Sequence, residues 1–372
     1  MSITDTIKNI SRDEENWLKD FREQNLKIFE SLPWERTKYT SLKLNAEELN
    51  ISGKLNGFKI NVPDDVVFLD IFDALEKYPH LKQYFTTEQN KIASMQNALF
   101  NAGFFLYVPK NMDVTIPMKV LFDEEKFARN IIIVDENSKL NLVQSINGSS
   151  NIASILLDVH LKQNAQMQYS TIQDMGQETT GIINQTAHLD RDSRFNWTTG
   201  TLGGKIIKGR REIILQGEGA EANDLEIIFG NNNQQFELNT NIYHKVPHTK
   251  GHSTTKGVLD DSARAMTQGL AKIEKAANGS DSYLAEHILL INPKAKAEPM
   301  PFMEIDTNDV KAKHSSFVSQ IDEEKVFYLR SRGLDENESR KIVVLGFLET
   351  SMQQADAIRE DLRQLIEKKW KD

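Results

Sequence analysis

No cysteine occurs among the 372 residues. That absence excludes disulfides, thiolate nucleophiles, zinc sites of the cysteine type and any self-sufficient iron–sulfur site. A metal here must be held by His, Asp, Glu or ligands that a partner brings. Long apolar runs are also missing: Ile342 to Leu348, the longest near the C-terminus, falls far short of a bilayer span, so no membrane contact is expected. No block of Lys and Arg stands out and the net charge is −9, which argues against nucleic-acid binding. No P-loop is present, so the chain is not expected to hydrolyse ATP itself. The polar, acidic opening MSITDTIKNISRDEENW has neither secretory nor transit character, and a cytoplasmic protein is expected.

What is present fits a soluble globular protein, with 39% hydrophobic and 27% charged residues and length enough for a large core. Ser11-Arg-Asp-Glu14 has the form of a capping box, and Leu18, Phe21, Ile28, Phe29 and Leu32 follow at helical spacing until Pro33. Trp34 to Thr40 reads as an extended aromatic segment. Two further helical readings cover Val66 to Leu81 and Glu88 to Ala102.

From Phe104 to Gln320 the pattern changes to short alternating or β-branched runs, such as Asn130–Val134, Ile155–Val159 and Glu212–Leu215. Turn residues followed by a small residue recur between them: Asn137-Ser138, Asn164-Ala165, Asp192-Ser193 and Gly219-Ala220. The small residues lie 27, 28 and 27 positions apart, with looser copies at Asp261-Ser262-Ala263 and Lys294-Ala295-Lys296. A fixed period in the twenties filled with short strands predicts a stacked solenoid, because one coil cannot bury its apolar side alone. Two strands per period suit a parallel β-helix; a β-sandwich would explain the strands but not the period. The chain therefore divides into a helical region over 1–102, a mainly β core over 103–320 and a helical region over 321–372.

Several residues carry possible chemistry. His244, His248 and His252 have the i, i+4, i+8 spacing of ligands on one helix face, but Pro247 and Gly251 argue against a helix there. Gly217-Glu-Gly219 lacks the third glycine and following helix of a nucleotide loop. Carboxylates are spread along turns rather than clustered, which weakens a reading as a β-helical carbohydrate-active enzyme. His314 closes the alternating run Val310, Ala312, His314 and shares their face, as a structural histidine or as a ligand. Phe327, Tyr328, Arg330 and Arg332 form an aromatic and basic helical run of the kind enriched at protein interfaces. Asp335-Glu-Asn-Glu338 then caps a helix with Ile342, Leu345 and Phe347 on its apolar face.

Gly103-Phe-Phe-Leu-Tyr-Val-Pro-Lys110, His248-Thr-Lys-Gly-His-Ser-Thr-Thr-Lys-Gly-Val258 and Phe327-Tyr-Leu-Arg-Ser-Arg-Gly-Leu334 together resemble the SufB/SufD family of iron–sulfur cluster assembly proteins. The order Glu304-Ile-Asp, Asp309-Val-Lys, His314, Ile321-Asp, Phe327-Tyr agrees. The resemblance implies a right-handed parallel β-helix with helical ends, acting as a scaffold and not as an enzyme. It implies pairing with a SufB-like subunit, or with a second copy, through the β-helices. It also implies docking of a SufC-like ABC ATPase on the C-terminal helical region, around Phe327, Tyr328, Arg330 and Arg332. No cofactor would be bound stably; a transient iron–sulfur cluster would form with the partner, and ATP would enter only through the ATPase. SufB-type chains carry a cysteine just before the run matching Ile288–Ile291, where this chain has Glu286 and His287, so it resembles SufD. The family's ligand histidine maps onto His314, although the cysteine usual two residues earlier is Ala312 here.

Overall fold

The computed structural model describes residues 3–12, 14–34, 51 and 60–370. Of the segment Trp34 to Thr40, residues 35–40 lie outside the described residues. Helices α1 (Ile3–Ile10) and α2 (Asn16–Ser31) are followed by strand β1 (Val67–Asp70), α3 (Ile71–Lys77), a 3-10 turn at Pro79–Tyr84 and α4 (Lys91–Leu99). Then come β2 (Phe104–Val108), β3 (Asp113–Leu121), β4 (Lys126–Val134), β5 (Lys139–Gly148), β6 (Ile152–Leu161), β7 (Gln166–Met175), β8 (Thr180–Leu189) and β9 (Arg194–Thr201). The run continues with β10 (Ile206–Leu215), β11 (Glu221–Gly230), β12 (Gln235–His244), β13 (Lys250–Leu259), β14 (Arg264–Ile273), β15 (Ser280–Leu290), β16 (Lys296–Ile305) and β17 (Val310–Gln320). Helices α5 (Glu323–Ser331), α6 (Glu336–Met352) and α7 (Arg359–Lys369) follow.

Among the described residues the strands form two sheets. Even strands stack in order from β2 to β16, with β1 added antiparallel at the start, and odd strands stack from β3 to β17. All other pairings are parallel and in register, residue over residue, as a β-solenoid requires. Inward side chains from both sheets make one continuous core that includes Trp197, Phe195, Phe236 and Ile213.

One corner of the coil explains the period. Asn111, Asn137, Asn164, Asp192, Gly219, His248 and Gly279 all have φ between 55° and 74° there, the left-handed conformation that Asn, Asp and Gly tolerate best. The stacked amides also bond along the column, Asn164 Nδ2 to Asn137 Oδ1 at 3.1 Å and Asn137 Nδ2 to Asn111 Oδ1 at 3.3 Å. The expected later copies at 261–263 and 294–296 do not belong to this column. They lie at the opposite corner, with Asn232, where the chain enters the even sheet. At Asp261-Ser262 the opposite corner also places an Asp before a small residue, so the one-dimensional pattern could not separate them. The true continuation runs through His248-Thr249 and Gly279-Ser280.

The core is not wholly apolar. Arg211 on β10 crosses the lumen to Asp224 (Nη1–Oδ1 2.5 Å) and Glu226 (Nη2–Oε2 3.0 Å) on β11, and lies 4.6 Å from the Trp197 ring centroid. Thr199 accepts from Arg211 Nη2 at 2.9 Å, Ser253 donates to Asp224 at 2.8 Å and Thr201 donates to Glu226 at 2.5 Å. A buried charge is tolerated only with such partners.

The helical ends lie on the outer faces. Phe21, Phe29, Leu75, Leu81, Ile92 and Met95 pack onto Phe105, Phe127, Ile131 and Ile133 of the even sheet. The expected capping box does not form: Ser11 closes α1, and Glu14 instead pairs with the fully buried Arg22 at 2.8 Å. Helical spacing over Val66 to Leu81 resolves into a strand, a helix and a 3-10 turn because Asp70 caps α3 and Pro79 ends it. Asp335 caps α6 as expected, accepting from Glu338 N at 2.8 Å. Its buried face, however, is Val344, Leu348 and Met352, and Ile342 is exposed. With Ile358, Leu362 and Ile366, that face covers Ile172, Leu225, Ile227, Phe229 and Val258 on the odd sheet. The C-terminal arm thus lies along the side of the solenoid, and the last coil stays open.

Candidate functional site: the open end of the solenoid

Strands β16 and β17 are the last in their sheets, and no described strand pairs with their outer edges. Inward positions that are sealed one rung earlier are uncovered here. Ala271 and Ile273 on β14 are fully buried, whereas Ile305, in register with Ile273, is 41% exposed. Ile288 on β15 is fully buried, whereas Val318 above it is 40% exposed. The core is therefore presented in cross-section, lined by Met303, Ile305 and Pro301 from one sheet and Ala312, His314, Ser316 and Val318 from the other. Pro299 and Pro301 sit in β16, where an edge position tolerates a missing N–H; β17 carries no proline.

His314 lies at this end. Its register column runs Tyr169, Trp197, Asp224, Ser253, Leu284, His314, so it occupies a lumen-facing position yet is exposed because nothing stacks above it. The shared face with Val310 and Ala312 is as the alternation predicts. One column along, Thr171, Thr199, Glu226, Thr255, Glu286 and Ser316 make a polar row that ends beside it. Glu286 is buried one rung below Ser316, its Oε2 has no hydrogen-bond partner, and burial pushes its pKa up to about 7. Sequence reasoning noted Glu286 only as a replacement for cysteine; its position in the inward parity of β15 was the available signal. The uncovered apolar lining was missed because alternation does not reveal which coil is last.

On the outer face, His287 stacks on Phe317 with centroids 4.3 Å apart and lies 3.0 Å from Ser315 Oγ through Nε2. Burial lowers the His287 pKa, and Lys256 adds to this. Phe317 meets Phe347 of α6 edge-on at 6.4 Å, which floors a wide groove between β17, α5 and α6. Phe327 is 73% and Tyr328 56% exposed on α5; Arg332 lies 5.3 Å from the Tyr328 ring centroid, and Arg330 reaches Glu336 at 3.4 Å. These four side chains thus lie on one exposed helix and its C-cap beside the open end. Asp322 caps α5 by accepting from Glu324 N and Lys325 N, so the chain passes from strand to helix almost without a linker.

The three spaced histidines are not brought together. His244 is buried in the lumen with Nδ1 2.8 Å from Thr249 Oγ1, His248 takes the left-handed corner and His252 faces outward, 3.3 Å from Asp281. Among the described residues no group of three His, Cys, Asp or Glu side chains can hold a metal ion. Gly217 and Gly219 form a corner turn, where a Cβ on Gly217 would lie 2.0 Å from Arg191 N. A groove on the odd sheet is floored by Gln168, Asn196, Asn223, His252 and Tyr283, while the carboxylate of Asp224 points away from it, to Arg211. No helix among the described residues is long and apolar enough to cross a membrane.

Fold and site define a class: a parallel β-solenoid with an uncovered terminal coil flanked by an exposed helix bearing aromatic and basic side chains. A family profile described as "SUF system FeS cluster assembly, SufBD core domain" matches residues 121–347. An iron–sulfur cluster assembly SufBD family protein of Staphylococcus saprophyticus is 27% identical over 298 residues, covering 76% of this chain and 64% of that protein. One of Staphylococcus haemolyticus is 26% identical with the same coverage, and one of Staphylococcus aureus is 24% identical over 408 aligned positions, covering 94% of this chain and 88% of its own length. The chain belongs to the SufBD family of the SUF iron–sulfur cluster assembly system. It spans less than two thirds of the length of the first two of these relatives.

Proposed function

We propose that this chain is a SufD-like scaffold subunit, not an enzyme by itself, whose open end takes a SufB-like partner. The carrying observation is the uncovered core cross-section with His314 at its rim. Exposed apolar side chains in that arrangement are stabilised when another solenoid end covers them. Imidazole is a competent iron ligand, and a chain without cysteine must rely on the partner for thiolates. In this reading His314 helps to hold the iron–sulfur cluster as cargo while it is assembled between subunits. Phe327, Tyr328, Arg330 and Arg332 dock a SufC-like ATPase, and ATP acts only through that partner. The short passage through Asp322 would let motion of α5 reach β17.

Co-expression with a cysteine-bearing SufB-like subunit and the ATPase tests the reading. A stable complex is expected, lost when Ile305 and Val318 are both changed to Glu while circular dichroism stays unchanged. Undiminished pairing by that variant would refute the open end as the interface. Light scattering on the chain alone distinguishes a homodimer, which would replace the SufB-like partner by a second copy.

A further inference from the structure

A second cavity lies on the other side of the molecule, between the Gln83–Glu88 segment and the outer face of the even sheet. Its volume is about 340 Å³, within the range of small-molecule sites. Arg129 of β4, 3% exposed, lines it. Nη2 of Arg129 pairs with Asp158 and donates to the Tyr84 carbonyl at 2.9 Å, but Nε and Nη1 are buried without partners. Buried donors of this kind carry a large desolvation cost unless something accepts from them.

The acids of the cavity are unequally matched. Asp158 has Arg129, and Glu212 has Arg210 at 2.6 Å and the Tyr243 hydroxyl at 3.2 Å. Glu88 has no ion-pair partner, and burial raises its pKa, with Glu212 and Asp158 adding to the effect against Arg210 and Arg129. Asn97 Oδ1 is a further buried acceptor without a donor. One wall is a stack of rings: Tyr84 on His160 at 4.3 Å and His160 on His188 at 4.7 Å, nearly parallel. Burial drives the His160 pKa down to about 3, so the middle ring of the stack is neutral.

We infer that this cavity is a binding site for a small zwitterion of the α-amino acid class. The unused N–H groups of Arg129 take its carboxylate, Glu88 and Asn97 take its ammonium, and its side chain lies along the ring stack. The matching of individual groups favours this class over its neighbours. An inorganic anion would meet three carboxylates, and a metal ion would meet the Arg129 guanidinium and, among the described residues, no set of three ligands to hold it. A zwitterion answers both the unused donors and the unmatched acid at once.

Isothermal titration of the full chain with individual L-amino acids, their N-acetyl derivatives and inorganic phosphate tests this. At least one free amino acid is expected to bind with Kd of about 1 mM or tighter. Glu88→Gln should weaken it by about tenfold or more while leaving thermal stability intact, and Arg129→Lys should weaken it through loss of the fork. N-acetylation should abolish binding. No saturable binding by any amino acid would overturn the assignment. So would an unchanged Kd in Glu88→Gln, or phosphate binding as tightly as the best amino acid, which would mark an anion site. None of these outcomes depends on pairing at the open end.

Discussion

Replacing Glu286 by Gln should make the stability of the chain less dependent on pH, and by a calculable amount. The carboxyl is 3% exposed, one rung beneath the open end, with Thr255 below it in register and Ser316 above. Burial raises its pKa from 4.5 to about 7, despite donation from the Met300 backbone and an opposing influence from Thr267. Below pH 4.5 the group is protonated in both folded and unfolded chains and contributes no pH dependence. Between 4.5 and 7 the folded chain holds a proton that the unfolded chain has released, so wild-type stability falls as pH rises. Above 7 both forms are ionised and the whole penalty is present. At about 1.4 kcal/mol for each pH unit of that window, the penalty reaches about 3 kcal/mol. Gln fills the same space without a charge. Urea denaturation of wild type and Glu286→Gln at pH 4.5, 6 and 8 reads the difference directly, with equal slopes confirming a comparable unfolding transition. The variant should gain on wild type progressively, by about 3 kcal/mol at pH 8. A difference that stays constant across this range, or that favours wild type at high pH, would refute the argument. Comparing the two chains cancels other groups that titrate in the same window, Glu226 among them, which burial also raises to about 7.

Arg211→Met should cost about 3–5 kcal/mol in chemical denaturation, because Asp224 and Glu226 would be left in the lumen without their cation. Leu348→Ala should cost about 2–5 kcal/mol and raise amide exchange in α6 and α7 before the strands, since Leu348 is fully buried between arm and sheet. Asn164→Val should cost about 1–2 kcal/mol in thermal unfolding, because Asn164 has φ 58° in the corner column, while Asn164→Gly should cost far less. His314→Ala should shift the stability of the isolated chain by less than about 0.5 kcal/mol, since the ring is exposed, yet abolish cluster formation by the assembled complex. Unchanged cluster formation would remove His314 from the proposed site.

Much of the solenoid was legible because its repeat is local. A left-handed corner selects Asn, Asp or Gly and crowding inside the bend selects a small neighbour, so Asn137-Ser138 and Asn164-Ala165 carry the coil length in two residues. Alternation likewise placed His314 with Val310 and Ala312, and the inward parity was correct. Assigning positions 261–263 to the same column failed because two corners with the same preference look alike in one dimension. The capping box at Ser11 failed for another reason. Glu14 has a stronger partner in Arg22, which local spacing does not reveal.

Sequence alone determined the coil repeat, the parity of the His314 strand and the absence of thiolates, because each follows from residue type at short range. Tertiary structure decided where the repeat stops being covered, which made His314 an exposed end-group instead of a core histidine. It also decided that α6 buries Val344 and Leu348 against the side of the solenoid, leaving Ile342 outside. Those outcomes depend on which distant surface each element meets, and burial against residues more than a hundred positions away leaves no local period to read.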